Sequence, residues 1–148
     1  MMTSKRLTAI LLSLAVGAAA TAAHADAVKY RRLVMRAIGG HMGAIVQIAK
    51  GAVPHTGHML THAKALEATI GLVKEAFKNE AMAKGSRATE KIWSDWTGFT
   101  GKADNAAKAA NVLVGTIENN GNVGGAIKGL GKACGACHKA YRKKKKKR

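Results

Sequence analysis

Apolar residues recur every three or four positions along most of this chain, and nowhere do they alternate for the length of a strand. Residues three and four apart share one face of a helix, whereas a half-buried strand needs strict alternation. From about Val28 to Lys50, a stripe of Leu33, Met35, Ile38, Met42, Ile45 and Ile48 predicts a helix. Gly51 stops it, and Pro54 lies in the following loop. Leu60, Ala63, Leu66, Ile70, Val73 and Phe77 predict a second helix from about His58 to Phe77. From Asn79 to Thr100 the pattern loosens, and Ile92, Trp93, Trp96 and Phe99 predict short turns or a partial helix covering one side of the core. A third regular helix is predicted over Lys102 to Glu118, ended by Asn119-Asn120-Gly121. The last is predicted over Val123 to Arg142, with room to continue into the lysines beyond.

The connections between most of these segments are short, so neighbours should run antiparallel. The simplest closure is an all-α, up-down-up-down four-helix bundle. Gly124, Gly125, Gly129, Gly131 and Gly135 weaken the propensity of the last helix. Two uses suit them: close packing on a neighbouring helix, or the approach of a large flat ligand. No internal repeat is present.

The two ends of the chain differ from this pattern. Lys5 and Arg6 precede an apolar run from Leu7 to Ala20, and Ala23-His24-Ala25 follows. That order of charge, apolar run and small-residue site predicts a cleaved secretory signal over residues 1–25 and a mature chain from Asp26. A transmembrane anchor is the rival reading, but the run is shorter than the ~20 residues a span needs. Residues 26–148 then form one domain. The formal charge is +17, which the signal lowers by two when it leaves. Such a charge raises the question of nucleic acid, but export and the lack of aromatics among the basic residues argue against that partner. Six of the basic residues form the terminal run Lys143 to Arg148.

There are two cysteines, in the run Cys134-Gly135-Ala136-Cys137-His138. A disulfide across so short a loop would stabilise little. A thioredoxin-like pair would need a strand context that is missing here. A structural zinc site would need a second pair of ligands, and the His55, His58 and His62 group lies along a single stretch of chain. C-x-x-C-H is instead the pattern of c-type haem attachment. Two thiols one helical turn apart each add to a vinyl group of one porphyrin, and the adjacent histidine becomes the proximal iron ligand. The expected cofactor is one covalent haem c, on Cys134 and Cys137, with His138 as axial ligand. Ten residues follow His138, none of them Met or His, so a sixth protein ligand should come from upstream.

With these residues in view, the chain resembles the class II c-type cytochromes, the cytochrome c′ family. The resemblance is carried by Cys134-Gly135-Ala136-Cys137-His138-Lys139-Ala140-Tyr141-Arg142, by Arg31-x-x-x-Met35, and by Ile92-Trp93-x-x-Trp96-x-x-Phe99 followed by Lys102-Ala103-Asp104. It implies a four-helix bundle with haem on the last helix. It also implies one of two functions. In one branch a methionine of the first helix is the sixth ligand of a low-spin electron carrier. In the other the iron is five-coordinate and high-spin, and binds nitric oxide or carbon monoxide.

Met35, Met42 and Met59 are the methionines to weigh. Met35 and Met42 lie about 700° apart and share a helix face, so periodicity does not separate them. The family pattern favours Met35 as iron ligand, with Met42 near the haem edge. His41 lies about 240° from Met35 and should face elsewhere. The resemblance places Arg31 and Arg142 near haem propionates, against a plain reading as solvated charges, and Tyr141 in the haem pocket. The expectation is a periplasmic electron-transfer protein, not an enzyme, cycling between ferric and ferrous haem. The basic tail would suit an acidic redox partner, and family members commonly form homodimers through their first two helices.

Overall fold

The computed structural model describes the backbone of residues 4–144 and the side chains of residues 24–144. Most of the predicted signal and the end of the basic tail therefore lie outside the described side chains. Six α-helices follow one another: α1 (Ser4–Ala49), α2 (Met59–Gly71), α3 (Val73–Phe77), α4 (Lys91–Ser94), α5 (Trp96–Glu118) and α6 (Val123–Tyr141). A single 3₁₀ turn, Thr56–His58, precedes α2. Packing runs from α1 to α2, from α2 to α5 and from α5 to α6, and α6 returns to α1 through a much thinner contact. This is the antiparallel four-helix bundle that the patterning predicts.

The boundaries differ from expectation in four places, three for a local reason and one through a distant pairing. Helix α1 passes through the predicted cleavage site without a break, as an alanine-rich run free of proline allows. The predicted second helix is divided at Leu72 into α2 and α3. Gly71 is a weak helix former, and the Thr69 hydroxyl donates to the Ala65 carbonyl at 2.6 Å, a bond that bends helices. Helix α5 begins at Trp96, six residues before the predicted Lys102. Asp95 is its N-cap, and the carboxylate accepts the Gly98 N–H at 3.2 Å. The looser aromatic stretch is thus loop and short helix, as expected, with Ile92 and Trp93 on α4, and only its end, with Trp96 and Phe99, is the first turn of α5. Finally, α6 ends at Tyr141, and Arg142 is extended rather than helical. The chain there forms an antiparallel bridge between Ala88 and Arg142, with the Thr89 N–H on the Tyr141 carbonyl at 3.0 Å and the Lys143 N–H on the Arg87 carbonyl at 2.7 Å. Through residue 144, the tail does not continue the helix.

The buried side chains form two clusters. One is aliphatic, built on Ile45, Ala63, Leu66, Ile70, Ala106, Ala110, Leu113, Val114 and Leu130. The other is rich in aromatics: Val34, Val73, Phe77, Ile92, Phe99, Ala103 and Tyr141. The glycines of α6 do not mediate tight packing. A Cβ on Gly129, Gly131 or Gly135 would meet no atom within 4 Å, and Gly125 and Gly129 line an open groove against α5. Gly98 is different, because a Cβ there would lie 2.5 Å from Asp95 Oδ1 and 2.6 Å from the Tyr141 hydroxyl.

Candidate haem-binding site

Helix α6 carries the attachment motif, and its start is set by Asn122, whose side chain accepts the Gly125 N–H at 2.9 Å. Cys134 and Cys137 follow one turn apart, both half-buried and both free thiols. They face different surroundings. Cys134 packs on the aliphatic cluster and Cys137 on the aromatic one. Burial pushes both thiols above their ordinary value; at Cys137 the neighbouring Cys134 adds to this and Lys102 opposes it. His138 is pushed down, first by burial and then by the positive charges of Arg142 and Arg87. A neutral imidazole is the form that binds iron.

Cys137 and His138 open into a cavity of about 330 Å³ between α6 and α1, where contact between those helices is thin. Val28, Arg31, Arg32 and Met35 line it from α1, at the three- and four-residue spacing of one helix face. Phe77, Ile92 and Phe99 form apolar walls. Arg32, Arg36, Arg87 and Arg142 add positive charge to its lining. Cys137 and His138 in the lining, Cys134 one turn earlier and outside it, apolar walls and a basic margin make up the kind of donor set that a covalently held, dianionic haem requires.

Met35 is half-buried, lines this cavity and packs on the aromatic cluster with Cys137. Met42 packs instead on the aliphatic cluster, as do Met59 and Cys134. The two methionines that periodicity leaves equivalent are therefore separated by the fold. His41 does not line the cavity. Its Nδ1 lies 3.1 Å from Nδ1 of His62.

Arg31 departs from the plain reading as a solvated charge, and it lines the cavity. It is 4% exposed, so it is not a solvated charge. Its guanidinium donates to the Ala76 carbonyl at 2.8 Å, to the Ala81 carbonyl at 2.8 Å and to the Asn79 carbonyl. It also lies over the Phe77 and Trp93 rings, 5.0 and 5.1 Å from their centroids. Three of its five N–H donors thus tie down the loop after α3, which leaves two for the cavity it lines. Burial lowers its pKa without discharging it.

Tyr141 is buried, and its hydroxyl donates to Asp95 Oδ2 at 2.7 Å. Lys91 donates to the same oxygen at 2.8 Å. The bond to Asp95, followed by burial, pushes Tyr141 up to about 12. Lys91 and then Tyr141 hold Asp95 below its ordinary value. This latch joins the end of the motif helix to the start of α5. Arg142 is exposed, lines the cavity and donates its backbone N–H to the His138 carbonyl at 3.1 Å.

Sequence reasoning missed Asp95, Gly98, Lys91 and Arg87. The N-cap aspartate before Trp96 was a readable signal, since it precedes an apolar-periodic run. Lys91 and Gly98 attach to that cap from four and three residues away, whereas Arg87 depends on Lys143, distant in the chain.

A family model described as cytochrome c′ matches residues 26–142. Cytochrome c-556 of Agrobacterium tumefaciens strain II Chrys is 36% identical over 125 residues, covering 82% of this chain and 100% of that protein. Cytochrome c′ of Pararhodospirillum photometricum is 31% identical, covering 78% of this chain and 94% of its own. Among solved structures, the chain is similar to a nitric-oxide-bound ferrous variant of cytochrome c prime from Alcaligenes xylosoxidans. That match has a TM-score of 0.74 and 28% identity, and covers 82% of this chain and 97% of the other.

Proposed function

The chain belongs to the cytochrome c′ family, whose members carry one covalent haem c, and from that premise we propose that it is an exported electron carrier with His138 and Met35 as axial ligands. The observation that carries this reading is the lining of one cavity by Met35 from α1 and by Cys137 and His138 from α6, with Met42 and Met59 packed elsewhere. Bound haem supplies a one-electron ferric–ferrous couple. Cys134 and Cys137 would hold it as thioethers, and His138 would supply a neutral nitrogen. A thioether from Met35 would favour the ferrous form relative to a second nitrogen ligand. Phe77, Ile92 and Phe99 exclude water and favour the less charged oxidation state in the same direction. Arg32, Arg36, Arg87 and Arg142 offer charge to the propionates.

One observation favours a second reading. Solved neighbours include several nitric oxide complexes of cytochrome c prime from Alcaligenes xylosoxidans. These weigh on the side of a five-coordinate, gas-binding protein, in which Met35 packs beside the open iron position without bonding to it. Absorption spectra of the haem-loaded ferric and ferrous protein separate the two. The first reading expects a low-spin spectrum with a sulfur–iron charge-transfer band that disappears in Met35→Ala. A high-spin spectrum with ready carbon monoxide binding establishes the second reading and removes the first.

Export rests on the residue 1–25 pattern, and in the periplasm the mature chain would begin at Asp26. Among the described residues, no helix is long and apolar enough to cross a membrane. Lys143 to Arg148 would steer an acidic redox partner, an attraction that salt weakens. Tyr30 and Leu33, three residues apart on α1, are each 50% exposed, and such apolar side chains on the first helix would suit a homodimer through the first helices.

A further inference from the structure

A second pair of nitrogen donors lies outside the haem cavity. His41 on α1 and His62 on α2 place their Nδ1 atoms 3.1 Å apart, with ring centroids separated by 5.4 Å. Both side chains are half-buried, so solvent reaches them while packing restricts their movement. We propose that this pair chelates one divalent late transition-metal ion, copper(II) being the ion of highest affinity.

The spacing is the first reason. Two imidazole nitrogens at metal–nitrogen distances near 2.0–2.1 Å, subtending a right or tetrahedral angle, lie about 2.8 to 3.4 Å apart. Nδ1 of His41 and Nδ1 of His62 already fall within that range, and since the 5.4 Å between centroids has the two nitrogens facing each other head-on, metal entry requires each ring to turn toward a shared point. The second reason is rigidity. The two rings project from helices packed directly on each other, with Ile45, one turn after His41, and Leu66, one turn after His62, both in the buried aliphatic cluster. A chelate formed between two fixed helices loses little conformational entropy on binding.

The donor set decides the kind of metal. Two neutral imidazoles suit copper, nickel and zinc, and the Irving–Williams order puts copper(II) first. Magnesium and calcium prefer oxygen ligands. Among the described residues no group of three His, Cys, Asp or Glu converges on one point, so water completes the coordination. His58 lies one turn before His62 but stacks on His55, with centroids 5.1 Å apart and planes 10° from parallel. It is therefore not required for the pair to act.

The test uses the mature, haem-loaded protein titrated with a copper(II) salt, followed by calorimetry and electron paramagnetic resonance. One ion per chain is expected, with hyperfine structure from two imidazole nitrogens. His41→Asn and His62→Asn should each weaken binding by about tenfold or more. A His55→Asn, His58→Asn double variant should bind within about threefold of the wild type. The haem absorption spectrum of each variant reports whether the bundle remains folded, and if a variant fails to fold, the nitrogen hyperfine pattern of the wild type decides. Absence of binding, a signal without two nitrogens, or undiminished affinity in folded His41→Asn and His62→Asn would overturn the proposal and leave the pair as a hydrogen bond between two imidazoles.

Discussion

The two buried clusters of this bundle meet at Ile38, yet they are built from different residues and have different outcomes. The aliphatic cluster combines alanines with Leu66, Leu113 and Leu130, and the gap beside it is a groove between α5 and α6 that is open to solvent. The aromatic cluster sets Phe77 and Phe99 with centroids 5.3 Å apart, and Phe99 edge-on to Tyr141 at 5.4 Å. Beside it a cavity persists between α1 and α6. Rings that brace one another can hold α1 and α6 apart, provided that polar contacts secure the connecting chain. Arg31 supplies such contacts to the loop after α3, and the Asp95–Tyr141 latch supplies them to the end of α6.

The largest effect should come from the aliphatic cluster. Leu113→Ala, at a fully buried position, should lower unfolding free energy by roughly 4 kcal/mol through lost burial and a residual cavity. Denaturant titration measures the loss, and the haem spectrum should be unchanged. A spectral change would show that the two clusters are not separable.

Next comes Arg31→Ala, which removes three hydrogen bonds and leaves their carbonyl partners short of a donor. A loss of about 3 kcal/mol is expected. Unlike Leu113→Ala, it should also perturb the haem spectrum, because the loop it anchors leads to Gly85, Ser86 and Arg87 of the cavity wall.

The smallest effect, about 1 kcal/mol near neutral pH, is expected for Tyr141→Phe. Its pH dependence carries the information. Tyr141 is raised to about 12 from 10.0, so its contribution is complete below pH 10 and lost as pH rises towards 12. Asp95 is lowered from 3.8, so its contribution is present above that value and lost as pH falls through the depressed one. The stability difference between wild type and variant should therefore shrink at both extremes, as chemical denaturation across pH would record. A difference independent of pH would mean that the hydroxyl acts by packing alone.

Much of this was legible in the chain because it is local. Helix periodicity is set by neighbours three and four residues apart, so three of the four long segments appear near their observed places. The start of α5 was misplaced because the aromatic stretch obscured the Asp95 cap. The break at Leu72 was missed because the apolar stripe runs unbroken across it, although the backbone does not. The buried role of Arg31 could not be read at all, since its acceptors lie 45 to 50 residues away.

By itself, the sequence determined the helical class, the antiparallel order and the C-x-x-C-H motif, since turn-length spacing specifies each of them. Tertiary structure alone decided that Met35 and not Met42 lines the cavity with His138, and that Arg31 is buried against carbonyls. It also decided that His41 meets His62. Residues on one face of one helix are equivalent until other helices pack along it, and only that packing determines what each one meets.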